Sequence, residues 1–574
     1  MNVYVKRNSI LHVDALQIFF AGKKRFLFAL PLLCIIPSLS HAVTPLPNAG
    51  QALRDIETNR MSLPPPVEME PLPQAPRSIA TAEDNAIRLK VSGFLITGNM
   101  NIAAEKILPL LQDLNGRLLT LNQLKEAAQR VTEYYRQQGY VLATAYLPRQ
   151  EIVNGQVRIT VVEGRYGAIK LSNRSHVRDG VLQRSLSGVQ SGMAITGAQL
   201  ERTLLLLNDL PGAEISSTLL PGKLPGTTDW QIAAAPAPWV DGALQVDNYG
   251  DAYTGEYRGT ASLGINSPLR SGDRLDLRLL SSDRHQRYYR MSYQLPVGPW
   301  STRAGAARSY MNYRLGKDFS ELKAHGTATI STGFISQPLL RSRTLNINAQ
   351  LQFDDKRLRD DIDLFESRSR KHTGLWTAEL SVNAQDRLLG GGQSAASIAY
   401  GIGKLRIEDP SLRRWDSRTA KTEGQFSKLT LSALRLQNLN ESFQLYGQLN
   451  AQWAPGNLDS SEKFSVGGPY SVRAYAPGSG NGDLGWQTTL ELRYAFQPYW
   501  QLSTFVDQGQ VRINRQPWTR EKNTLFMSAA GAALAWGGSK HQVSLTAAWP
   551  LPSSTLSKDW DKSPRIWLQA ARYF

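Results

Sequence analysis

The chain has 574 residues with 41% hydrophobic content and a net charge of +17, enough for two to four domains. No apolar run reaches the ~18 residues that a spanning helix needs, apart from one segment near the N-terminus. The cations are scattered rather than blocked, so nucleic acid is not an expected partner.

Taken in chain order, KKRFLFALPLLCIIPSLSHA (23–42) comes first. Lys23, Lys24 and Arg25 form a basic start, Phe26 to Leu39 an apolar core, and Ser40-His41-Ala42 a small-x-small site. The apolar core is only about 14 residues long and contains Pro31 and Pro37, so residues 1–42 are expected to be a cleaved secretory signal. Leu33 is too bulky for a lipoprotein signal at Cys34. Cleavage after Ala42 removes the single Cys. The mature chain would carry a charge of about +13 and enter an oxidising compartment without a thiol. Cysteine-ligated zinc and cysteine nucleophiles are thereby excluded.

Residues 43–61 contain NAGQALRDIETNRM, with Asn48 as a candidate N-cap and Leu53 and Ile56 one turn apart. A short, mostly polar helix is expected. Residues 62–87 form a Pro-rich linker, with six Pro in LPPPVEMEPLPQAPR (63–77). This is an extended tether rather than part of a core.

Residues 88–165 and 166–236 read as two α/β modules of one architecture. In the first, LKVSGFLITG is a strand and AEKILPLLQDL a helix. LNQLKEAAQRVTEYYRQQG is a second helix, with Leu124, Ala127, Ala128, Val131 and Tyr135 on one face and Gly139 ending it. YVLATAYLP and QVRITVVEG follow as strands around an Asn154-Gly155 turn. Two tandem modules of this kind suggest an interaction arm rather than an enzyme core.

From 237 to 574 helical periodicity gives way to period-2 alternation in about 16 segments. In LNINAQLQF (345–353) the odd positions are apolar and the even ones Asn or Gln. SFQLYGQLNAQW (442–453) repeats the pattern. A soluble sandwich and a membrane barrel both alternate. Strands of ~10 residues match a tilted crossing, Glu379, Glu491 and Arg493 put full charges on the polar face, and the chain ends on Phe574 as outer-membrane barrels do. All three favour a 16-stranded transmembrane barrel. Arg572 reads as a cation snorkelling at the periplasmic interface.

The seven His show no i, i+4 pair, and neither His-Glu-x-x-His nor Gly-x-Ser-x-Gly occurs. No catalytic, cofactor-binding or metal-ligating residue is assigned.

This order of parts resembles the TpsB family of two-partner secretion, the hemolysin-activator and filamentous-hemagglutinin transporters. These lie in the wider superfamily of BamA barrel-assembly proteins. The likeness covers nearly the whole mature chain. YYRQQGYVLATAYLPRQEIVNGQVRITVVEGR (134–165) is similar to the family's first POTRA module. FSVGGPYSVRAY (464–475) resembles its loop-six signature, with Ala474 in place of the usual Gly. TFVDQGQV (504–511) resembles the barrel-wall motif that meets that loop, with Phe505, Asp507 and Gly509 in matching places.

The resemblance implies two periplasmic POTRA domains, a 16-stranded barrel in the outer membrane of a Gram-negative bacterium, and an N-terminal helix that plugs the resting lumen. It implies a TpsA exoprotein as partner, recognised by its N-terminal secretion domain and exported unfolded. Outer-membrane lipid, a monomeric state and no cofactor are also implied, and no ATP site is expected. It further implies a latch of Val472, Arg473, Ala474 and Tyr475 against the wall residues.

Strand parity tests that latch. In QLSTFVDQGQ (501–510) Leu502, Thr504 and Val506 form the apolar face, so Ser503, Phe505, Asp507 and Gly509 point inward. Arg473 can then pair with Asp507, Gly509 leaves room for the loop, and Val472 and Tyr475 pack on the inner wall. The plainer reading makes Arg473 a solvated charge and Asp507 a channel-lining acid. Tyr135, Tyr140 and Tyr146 are candidate substrate contacts, with core packing the favoured reading. Glu491 and Arg493 read as ordinary lumen lining. A BamA-type assembly factor, a passive porin and a barrel-borne hydrolase are the competing functions, and the cargo is not legible.

Overall fold

A computed structural model of the chain describes residues 47–57, 63, 88–552, 554–555 and 563–574. The expected signal (1–42), nearly all of the Pro-rich linker (62–87) and the end of the N-terminal helix (58–61) lie outside the described residues.

In the first α/β module, strand Gly93–Thr97 runs parallel to Gln156–Val162, which pairs antiparallel with Thr144–Tyr146. Helix Leu121–Gln137 covers this sheet. Its start is fixed by a capping box between Thr120 and Gln123, which satisfies two otherwise orphaned backbone N–H groups. Leu124, Ala127, Ala128, Val131 and Tyr135 form its buried face, as the spacing requires.

Three local readings need correction. AEKILPLLQDL is α-helical only over Ala104–Ile107 and continues as a 3-10 helix over Leu108–Leu114, because Pro109 has no N–H to donate back along an α-helix. LKVSGFLITG breaks at Val91 and Ser92, whose N–H groups go to different partners, Arg117 O and Gly155 O. YVLATAYLP is a strand only over Thr144–Tyr146, since residues 140–143 close a turn behind the helix, with Ala143 N–H bonded to Tyr140 O.

The second module places strand Thr227–Pro236 between Arg165–Asn173 and Ala213–Pro221. Helices Asp179–Ser185 and Gly197–Asn208 bury Leu182, Leu200, Leu204 and Leu207 against Tyr166 and Trp230. The module docks on the barrel's periplasmic turns. Asp209 accepts two bonds of 2.8 Å from Arg341, and Glu201 accepts the backbone N–H of Arg343 at 2.5 Å.

Sixteen antiparallel strands among the described residues close a barrel, from Val240–Asp247 to Arg565–Tyr573. The seam pairs Gln569 with Asp247 through Tyr573 with Ala243, and Gly242 and Phe574 exchange two further backbone bonds. Along Trp500–Arg512, Ser503, Phe505, Asp507, Gly509 and Val511 are buried while Leu502, Thr504 and Val506 are exposed. The exposed leucines and aromatics of the outer face, Leu351, Trp376, Leu431 and Leu490 among them, form the apolar band that lipid covers. Arg572 stands exposed on that face at the periplasmic end, beside His541 and Leu244.

Strand length departs from the sequence reading. LNINAQLQF continues through DDKRLRDDI to Ile362, an 18-residue strand, and Ser367–Asp386 spans 20. Above the bilayer the outward face meets water, and the inward face meets polar groups that fill the lumen, as Lys356 meets Glu462 and Asp360 the Ala49 N–H. Alternation there no longer marks the strand, although the backbone ladder continues.

Candidate functional site

Among the described residues, two elements occupy the barrel lumen. One is the extracellular loop between strands Phe443–Trp453 and Leu484–Gln497, folded inward. Its chain reverses at Gly467, Gly468 and Gly478, with φ of 106°, 101° and 74°, values at which a side chain is strained. Ala474 lies outside the left-handed region and is fully buried. The replacement of Gly at this position therefore brings no strain.

At the tip, the backbone N–H of Arg473 donates to Asp507 Oδ2 at 3.1 Å. Nε and Nη2 donate to the two carboxylate oxygens of Asp507, each at 2.9 Å. Nη1 reaches Glu491 Oε2 at 2.9 Å, and the guanidinium lies 3.2 Å from the Phe505 ring centroid. Asp507 is 0% exposed and also accepts from the Thr489 hydroxyl at 2.9 Å. A bidentate, charge-assisted contact on an aromatic face at such burial is far stronger than a surface pair. Val472 and Tyr475 pack in one apolar cluster with Val466, Phe505, Val511 and Met527. A Cβ on Gly509 would come within 2.7 Å of Val466 and 3.2 Å of Val472, so only Gly admits the loop this close.

Parity and motif together thus bring Val472, Arg473, Ala474 and Tyr475 against Phe505, Asp507 and Gly509. Glu491 is no ordinary lumen lining, since it shares the Arg473 guanidinium and also accepts Arg493 Nε at 2.9 Å. Its inward parity on the neighbouring strand was the available signal. Trp567, on the last strand, donates to the Arg473 carbonyl at 2.7 Å; no local pattern marks it.

Sequence reading also missed a second ionic tier. Glu462 accepts Lys356 at 2.7 Å and Lys428 at 2.8 Å, and Lys371 meets Asp459 at 2.5 Å. The loop base is thereby tied to three wall strands.

The other occupant is helix Ala49–Glu57, begun by Asn48, whose side chain accepts Gln51 N–H at 3.0 Å. Leu53 and Ile56 are buried. On its wall side, Asp360 accepts Ala49 N–H at 2.7 Å, and Glu57 accepts Tyr288 at 2.7 Å and Ser309 at 2.5 Å. On its loop side, Arg54 donates to Ser460 O and Lys463 O, both at 2.8 Å.

Of the three tyrosines in the first module, Tyr135 is fully buried and donates to Glu163 at 3.3 Å. Burial first, and Glu163 second, push its hydroxyl well above the ordinary tyrosine range. Tyr140 packs edge-on against it at 5.8 Å. Tyr146 is 47% exposed on the short outer strand of the sheet.

A closed sixteen-stranded barrel with two α/β modules at its mouth and a helix and loop in its lumen defines an outer-membrane translocator with a periplasmic POTRA arm. A family profile described as haemolysin secretion/activation protein ShlB/FhaC/HecB matches residues 226–537, and a POTRA domain of ShlB type matches 89–164. The chain belongs to this ShlB/FhaC/HecB family, and it is an outer-membrane translocator of two-partner secretion.

The heme/hemopexin transporter protein HuxB of Haemophilus influenzae (strain 86-028NP) is 26% identical over 92% of this chain and 95% of its own. The hemolysin transporter protein ShlB of Serratia marcescens is 26% identical over 70% and 72%. Among solved structures, CdiB from Escherichia coli matches with a TM-score of 0.69 at 20% identity, covering 87% of this chain and 94% of that one.

Proposed function

We propose that the chain captures one large secreted exoprotein through its POTRA arm and passes it unfolded through the barrel, once the N-terminal helix has left the lumen. The observation that carries this reading is the helix itself. It bridges the wall (Asp360, Tyr288, Ser309) and the inward loop (Ser460, Lys463) by polar contacts, and a long segment separates it from the first module. A nine-residue helix is marginal in water on its own, so its order depends on the lumen that holds it.

Arg473, Asp507 and Glu491 act in this reading as a latch that fixes the loop to the wall. Tyr146, on an exposed edge strand, is the tyrosine available to an extended segment of the partner. The chain acts as a monomer without a catalytic step of its own, and translocation is driven by folding of the partner outside. Deleting residues 43–77 tests the reading in planar bilayers. Conductance should rise well above that of the full chain; unchanged conductance would sink the plug.

A further inference from the structure

On strands Leu345–Ile362, Ser367–Asp386 and Gly392–Ile407 the outward side chains change character at one height. Phe353, Trp376 and Ile402 stand opposite one another and form the last apolar row towards the extracellular end. Two residues further, about 7 Å along each strand, the row reads Asp355, Gly374 and Lys404. The next reads Arg357, His372 and Arg406, and the one above it pairs Arg359 with Arg370.

Counting Arg368 beyond them, six Lys and Arg stand outward above the apolar row on these strands against two carboxylates, Asp355 and Asp361, with a third, exposed Glu408, just past the last strand and beside Arg370. Asp355 is engaged by His372 and, at 3.4 Å, by Arg357, and Asp361 by Arg359 at 2.6 Å. Arg370, Lys404 and Arg406 are exposed, and among the described residues none of them has a carboxylate partner. The patch has edges. At the same heights the flanking strands carry Ser331 and Thr329 on one side and Gln425 on the other. Beside it, Lys404, Arg406, Glu408, Arg413 and Glu423 line an open hollow of about 510 Å³.

A cluster of cations immediately above a lipid-facing apolar row is complementary to one kind of molecule. Its acyl chains lie along the apolar row and its phosphates stand at the headgroup boundary. A zwitterionic headgroup brings its own cation into the cluster, and a soluble anion gains nothing from the row beneath. Arg adds bidentate geometry suited to phosphate.

We propose that this face is a binding site for a phosphate-bearing glycolipid of the outer leaflet, with lipid A phosphates held by Arg357, Arg370, Lys404 and Arg406. Nothing in the latch or the POTRA arm requires it.

The test uses the full chain in detergent and native mass spectrometry with bisphosphorylated lipid A. The variant Arg357→Gln/Lys404→Gln/Arg406→Gln should bind about 100-fold more weakly, at roughly a factor of five for each cation lost. The charge-preserving variant Arg357→Lys/Lys404→Arg/Arg406→Lys should stay within a few-fold of the parent. Single Lys404→Gln, with heat-modifiable gel migration as the folding control, carries the test if the triple variant fails to fold, and should show the single-cation loss. Lipid A stripped of phosphate should bind no better than the neutral variant. Equal binding by the parent and the neutral variants would overturn the proposal. So would equal binding of dephosphorylated lipid A or phosphatidylglycerol, or displacement by inorganic phosphate alone.

Discussion

The loop and the helix fill the same lumen but are held in different ways. The loop is continuous with two adjacent wall strands, and its tip combines a buried ionic contact with an apolar cluster. The helix is no part of a wall strand and lies far from the barrel strands along the chain. Its contacts run to polar groups of the wall, with one ion pair from Glu57 to Arg290 at 3.3 Å, and to two carbonyls and the Asn481 side chain of the loop. Buried charges whose partners are removed cost far more than hydrogen bonds that water can replace. The comparison teaches that the loop is part of the wall, whereas the helix is a guest whose seat the loop helps to build.

The largest expected effect is on the loop. Arg473→Ala leaves the buried Asp507 without a cation and Glu491 with Arg493 alone, and should destabilise the barrel by about 3–5 kcal/mol. Secretion of the partner should fall at least in proportion, read as exoprotein in the medium alongside heat-modifiable gel migration. Wild-type secretion would remove the latch from the account.

The charge swap sharpens this. Arg473→Asp with Asp507→Arg sets an aspartate against Glu491, so recovery should be slight until Glu491→Gln is added. Recovery by the swap alone would mean that Glu491 contributes nothing.

Gly509→Val is expected next, at about 1–3 kcal/mol, because the added side chain overpacks against Val466 and Val472. Unfolding in denaturant checks it, and an unchanged midpoint would show that the loop yields at this point.

On the helix side, Arg54→Ala should barely move barrel stability yet raise single-channel conductance by loosening the guest. If stability fell as far as in Arg473→Ala, the contrast between the two occupants would collapse. Smallest in stability is Tyr146→Ala, within about 0.5 kcal/mol as a surface change. It should weaken partner capture in a pull-down with the exoprotein's N-terminal domain, and undiminished capture would take Tyr146 out of the proposed contact.

Much of this was legible in the residues. The capped amphipathic helix over Leu121–Gln137, the alternation along Trp500–Arg512 and the inward side of Asp507 all follow from periods of 3.6 and 2. Strand continuation through DDKRLRDDI was not legible, because its inward face is covered by polar partners, Lys356 on Glu462 and Asp360 on the Ala49 N–H, and charges on both faces leave no apolar alternation to read. Nor were the partners of Lys356, Lys371 and Lys428, or the Trp567 bond to the Arg473 carbonyl. The contacts of Lys356, Lys371, Lys428 and Trp567 join residues 106, 88, 34 and 94 positions apart, across a lumen whose width no local pattern encodes.

The sequence by itself determined the modules, the barrel and the inward side of Asp507, through local periodicity. It offered the pairing of Arg473 with Asp507 as what the loop motif and strand parity together implied, beside a plainer reading as a solvated charge. The tertiary structure alone decided that Glu491 shares the Arg473 guanidinium with Asp507, that three lysines meet the carboxylates of the loop base, that Asp209 meets Arg341 at the barrel, and that outward cations of three strands meet in one patch. Strand register and closure fix which inward or outward side chains become neighbours, and those follow from hydrogen bonding between strands rather than from the pattern along any one of them.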